Sequence, residues 1–467
     1  MKTSRVAKFT SVIVAAITGL YLVAGASVKS TDAKSLATLA RQAADTNPSR
    51  AADAIEQLRA AGPAGLDALF DVYADRVQRQ LQPKAANDES WERIRTALDM
   101  VARQRDAYAS HLYWYTNFDE AKTAARASGK PILSLRLLGK LNEEYSCANS
   151  RFFRTTLYPN AEVSEYLRAH FILHWQSVRP VPRITIDMGD GRRIERTITG
   201  NSIHYVLDAD GNPIDALPGL YGATVFLREL GRAESAELQA AKLNGAERAA
   251  FLNDYHSTRL TQIQANWAHD LAIVNPAPTP APRVTASASQ PDAVAASFVA
   301  VSKTGVEAPM LHAGAETSLP QQRSTLDAMS TDATWQKIAS LHQEDAALDA
   351  SAIRLISFKQ PAPTAAEAML VTTSKMVQES PMVRMLNTLR RSIAEDTVRN
   401  EYELHSRIHE WFANGWVPAN LDALNSRVYA ELFLTPNSDP WLGLAPTDAF
   451  SALDGGGLVQ NSTCDSK

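Results

Sequence analysis

The chain has 467 residues, 45% of them hydrophobic and 21% charged, and carries a net charge of −4. Those values fit roughly two to four globular domains, and without clustered positive charge they give no sign of a nucleic-acid or anionic-membrane partner. Two cysteines, Cys147 and Cys464, exclude a disulfide framework and a cysteine-only zinc site.

The N-terminus has the pattern of an export signal. Lys2, Arg5 and Lys8 precede an apolar run from Val12 to Val23, and Ala24-Gly25-Ala26 has the small-x-small form of a cleavage site. Residues 1–26 are therefore expected to be a signal peptide cleaved after Ala26, with an uncleaved inner-membrane anchor as the alternative. Either way the rest of the chain is placed outside the cytoplasm, in a periplasmic or otherwise exported setting.

Residues 27–110 are expected to form a helical bundle. Leu36, Leu39 and Ala40 share a helical face, Asn47-Pro48-Ser49 is a helix start, and Gly62-Pro63 interrupts the chain before Leu66, Leu69 and Phe70. Trp91, Ile94, Leu98 and Val101 mark a further helix.

Residues 111–232 change to alternating helix and strand. Phe118–Ala127 predicts an amphipathic helix ended by Gly129, and Pro131–Leu138 predicts a buried strand. A loop carrying Cys147 follows. Ala161–His170 reads as helix, Phe171–Val178 as strand, Ile184–Ile198 as a hairpin turning through Gly189-Asp190-Gly191, and Ile203–Leu207 as strand. Helix resumes at Leu227 and continues as an extension over 233–274. Residues 275–296 are rich in proline, alanine and serine and read as a linker. A helical domain is expected over 297–451, with helices at Ser324–Met329, Trp335–Ala346, Ala365–Val377, Met382–Ala413 and Leu421–Leu432, and a disordered tail over 452–467. The fold class is thus α/β plus all-α: a central α/β sandwich between an N-terminal helical bundle and a C-terminal helical domain.

The central order of helix, strand, cysteine loop, helix, strand, strand and helix resembles the thioredoxin-like superfamily. The residues that carry the resemblance are Trp114, Glu120-Ala121, Lys130-Pro131-Ile132 and Tyr205-Val206-Leu207-Asp208 with Gly211. It covers about 120 residues. Two departures stand out. The family's C-x-x-C is reduced to Cys147-Ala148-Asn149-Ser150, or to Glu144-Tyr145-Ser146-Cys147. The cis-proline expected before the third sheet strand is replaced at or near Ser202. A dithiol cycle needs a second thiol to resolve the mixed disulfide.

The resemblance makes Cys147, Ser150, Arg151 and Ser202 the candidate site. A cysteine at a helix start near Arg151 and Arg154 favours thiolate, whereas Glu143 and Glu144 oppose it. A reactive Cys147 would form a sulfenic acid or a mixed disulfide, with Ser150 or Asn149 as hydrogen-bond partners. That activity is at most oxidoreductase-like and requires the thiol to be accessible. The alternative is a catalytically inactive binding or scaffold module, which expects Cys147 buried. The expected partner is another protein, either thiol-bearing or docked on the helical flanks. No cofactor or metal is expected. Glu401, His405 and His409 are spaced along one helix face, but H-E-x-x-H is absent. A solvated or partner-facing surface is the ordinary account of that face, and a metal would need a third ligand converging on His405 and His409.

Overall fold

The computed structural model describes residues 30–82, 85, 87–197, 200–274, 332–359, 381–439 and 441. The expected signal peptide, the linker, the helices at Ser324–Met329 and Ala365–Val377, the tail and Cys464 lie outside the described residues. No helix among the described residues is long and apolar enough to cross a membrane.

The N-terminal region folds as five helices: α1 Ser30–Gln42, α2 Pro48–Ala60, α3 Pro63–Val72, α4 Ala74–Gln80 and α5 Glu89–Ala102. Local chemistry starts them. Asn47 caps α2 by accepting from the amides of Ser49 and Arg50, with Pro48 in the first turn, and Asp88 caps α5 through the Trp91 amide. The core of the bundle joins Leu58, Leu66, Leu69, Trp91, Leu98 and Val101, and Leu355 from the far end of the chain completes it.

Asp99 lies inside this bundle and accepts from the Ala107 amide at 2.9 Å. Burial, reinforced by nearby Asp106, pushes its carboxyl up to about 7. A raised folded-state value favours the neutral form. The contribution is complete below the unfolded value near 4 and is lost as pH rises towards 7. Urea denaturation of the wild type at pH 5 and pH 8 is therefore expected to show roughly 3 kcal/mol of Asp99-dependent loss. Asp99→Asn should flatten that part of the profile, and an unchanged slope would contradict the assignment.

A second core runs from Leu112 to Phe433, without Leu355. Helix α6 Phe118–Ser128 leads through Gly129, at φ 69°, into strand β1 Ile132–Leu138. The Cys147 loop follows, then α7 Ala148–Phe152, which continues as a π-helical turn Phe153–Leu157. Next come α8 Ala161–His170, β2 Ile172–Arg179, the hairpin β3 Arg183–Asp187 and β4 Arg193–Thr197, and strands β5 Ser202–Leu207 and β6 Pro213–Pro218. Helices α9 Ala223–Ala240 and α10 Gly245–Val274 complete the central region.

The main sheet has the order β2-β1-β5-β6. Strand β1 runs parallel to β2 and antiparallel to β5, and β6 is antiparallel to β5. Every residue of β1 is buried, as a central strand covered on both faces requires. The register puts Ser134, Arg136, His174 and Tyr205 on one face and Leu133, Leu135, His204 and Asp215 on the other. Phe118 of α6 packs on the first face, its ring 5.0 Å from that of His174. The second face carries Phe153 and Phe226 against His204, whose Nε2 bonds the Tyr158 hydroxyl at 2.8 Å.

The C-terminal helices are α11 Asp332–Leu341, α12 Ala350–Lys359, α13 Pro381–Arg399, α14 Ser406–Ala413 and α15 Leu421–Arg427. A π-helical turn at Asn400–His405 joins α13 to α14. Three expectations change. Met382–Ala413 is one run, but the π turn shifts its phase. Residues 233–272 are two helices that break near Leu243. Strand β6 was not expected, because prolines at both ends and Asp215 within it suppress a strand pattern.

Candidate functional site

Cys147 occupies the N-cap position of α7, so the loop delivers it to a helix start. Its amide donates to the Leu138 carbonyl at 3.1 Å, which ties the loop to the end of β1. The residue is 0% exposed. Burial pushes its thiol up, against smaller lowering effects of backbone hydrogen bonds at Ser150, Leu138 and Asn149 and of the Arg151 charge. Ser150 does not turn to the sulfur: its hydroxyl donates to Ser146 Oγ at 2.8 Å. Arg151 donates to Thr197 Oγ1 at 2.8 Å. Arg154 is buried and clamps the carbonyls of Glu143 and Glu144 at 2.8 and 2.7 Å, so it organises the loop. Ser202 opens β5 opposite Leu137, fully buried, its hydroxyl without a hydrogen bond. The four expected residues thus gather around one end of β1, where Cys147, Ser150 and Ser202 are buried and Arg151 is half-buried.

The chain's own C-terminal segment helps to close it. Tyr429 donates to the Asn201 carbonyl at 3.2 Å, and the Asn201 side chain donates to Thr435 Oγ1 at 3.0 Å. On the adjoining sheet face, Arg136 reaches Asp422 at 3.4 Å and Tyr205 reaches Asn425 at 3.2 Å. Arg179 holds the carbonyls of Thr435 and Asp439 at 2.5 and 3.0 Å.

A second locus lies at β6. Glu401, His405 and His409 are buried, which corrects the expectation of a solvated or partner-facing helix face. His405, at the end of the π turn, and His409 face Asp215, 190 residues from His405 in sequence. His405 lies between two carboxylates, with Nδ1 2.9 Å from Glu401 and Nε2 3.2 Å from Asp215. Burial lowers the His405 pKa, but Glu401 and Asp215 outweigh it and raise it to about 10. Burial raises that of Asp215, yet the histidines His409 and His405 hold it well below the carboxylate range. Tyr255 donates to the second Asp215 oxygen at 2.5 Å. His409 Nδ1 meets His256 Nδ1 at 2.9 Å. Arg259 bridges Glu229 and Glu401 at 2.7 and 3.2 Å.

A pocket of about 500 Å³ between α9 and α10 ends on Tyr255 and Arg259, two members of this network. The sequence singles out Glu401, His405 and His409 by their spacing, but Asp215, His256 and Glu229 carry no local signal. Each is an isolated polar residue on a strand or helix until the fold brings them together.

A scan against protein-family models, a search of curated proteins and a search of solved structures each return no match.

Proposed function

We propose that the chain is an exported, thioredoxin-like protein whose central domain acts as a binding and scaffold module with its thiol withdrawn from exchange chemistry. The observation that carries this reading is the complete burial of Cys147. A thiolate attacks only where it forms and where a partner sulfur can reach it. Burial opposes both. The β2-β1-β5-β6 sheet supports the thioredoxin-like part, since it joins a parallel β-α-β unit to an antiparallel hairpin followed by a helix. In this reading the helical flanks carry the contacts with another protein.

The monothiol redox reading keeps one observation in its favour. The N-cap position, with backbone hydrogen bonds and Arg151 lowering the thiol pKa, is an arrangement that supports thiolate once burial is relieved. Glutathione disulfide separates the two. Incubated with the native Cys464→Ser chain, it is expected to leave the intact mass unchanged. A stoichiometric glutathione adduct that Cys147→Ser abolishes would establish the redox reading instead.

A further inference from the structure

We propose that Asp215, His405 and His409 bind one divalent transition-metal ion of the zinc class, held inside the protein between β6 and the α13–α14 run. The proposal goes beyond the scaffold reading and does not depend on the state of Cys147.

The donor set is one carboxylate oxygen and two imidazole nitrogens, which suits zinc, and binding displaces the proton that His405 Nε2 shares with Asp215 in the metal-free chain. One ligand atom from each of the three residues lies within 4.8 Å of the other two. Asp215 Oδ1 is 3.2 Å from His405 Nε2 and 3.9 Å from His409 Nε2. A tetrahedral ion with bonds of about 2.0–2.1 Å needs ligand atoms about 3.3 Å apart. Small side-chain movements bring the three atoms to that spacing.

An independent observation points to a ligand. His409 is 0% exposed, and its Nε2 faces Asp215 without a hydrogen bond. Buried polar atoms are ordinarily satisfied, and an orphan of this kind calls for an explanation. An ion at this position supplies its partner.

The surroundings are those of metal-binding histidines, which pass their second ring nitrogen to a neighbouring acceptor that fixes the ring. His405 Nδ1 faces Glu401 at 2.9 Å, and His409 Nδ1 faces His256 at 2.9 Å. Tyr255 fixes the non-ligating oxygen of Asp215. The Asn400–His405 π turn sets the helix phase that aims both imidazoles inward, and such turns recur at functional sites. Since Asp215, His405 and His409 are at most 2% exposed, the ion acts as a staple between distant parts of the chain.

The test uses the purified full chain, stripped with a chelator and titrated with Zn²⁺ and with Co²⁺. The expected result is uptake of one ion per chain, a higher melting temperature, and X-ray absorption at the zinc edge that reports two imidazole ligands. His409→Gln is expected to weaken uptake at least about 100-fold while the apo variant retains its far-UV circular dichroism. The absorption measurement on the wild type needs no variant and stands even if His409→Gln fails to fold. Absence of stoichiometric uptake by the folded wild type, uptake undiminished in a folded His409→Gln, or a bound ion without imidazole ligands would each overturn the assignment.

Discussion

Asp215→Ala is expected to destabilise the metal-free chain by about 3–5 kcal/mol, because it removes one partner from a fully buried charged network. Two groups lose their counterpart at once. His405, 0% exposed, keeps Glu401 but loses the carboxylate on its other nitrogen. Tyr255 loses the acceptor for its hydroxyl. An unpaired buried donor carries its full desolvation cost, and His405, at 0% exposure, is the group that bears it. Asp215→Asn should cost less, since its amide oxygen still accepts from Tyr255. Urea denaturation in the presence of a chelator measures both. A loss below about 1 kcal/mol for the alanine variant would mean that Asp215 and His405 are not paired as described.

Gly65→Ala is the second large effect, expected at about 3 kcal/mol or more from forced overpacking. Helices α2 and α3 cross at this residue. A Cβ at position 65 would lie 1.9 Å from the Leu58 carbonyl oxygen and 2.7 Å from its carbon. These are backbone atoms of a neighbouring helix, so no rotamer change relieves the clash. The two helices must separate, and the packing of Leu58 and Leu66 in the bundle core goes with them. Gly231→Ala in the middle of α9 is the control. Its nearest neighbour would be the Tyr166 hydroxyl at 3.5 Å, an ordinary contact. There the change should be neutral or stabilise by up to about 1 kcal/mol through helix propensity. Equal midpoints for the two variants in urea would contradict the crossing geometry.

Local patterns in the sequence are enough to place most central elements. The Ile132–Leu138 strand, the Ala161–His170 helix and the hairpin around Gly189 follow from apolar period, caps and turn residues within a few positions of themselves. Strand β6 is hidden because Pro213, Asp215 and Pro218 disguise it, and only pairing with β5 makes it a strand. The candidate cysteine site is legible as a position and not as an environment. Nothing near Cys147 in sequence announces Asn201, Tyr429 and Thr435, which lie far from it along the chain. The histidine cluster shows the same division. The spacing of His405 and His409 is visible, while Asp215 and His256 join them only through tertiary packing.

The sealing of Cys147 is tested most directly by the rate of iodoacetamide alkylation in the Cys464→Ser chain, followed across a urea series. The expected result is no measurable reaction in native buffer and a rate that rises in step with the unfolded fraction, because only unfolding exposes the sulfur. Rapid alkylation of the native chain, with a pH midpoint well below the free-cysteine value of about 8.5, would show an accessible and activated thiolate and would contradict the account.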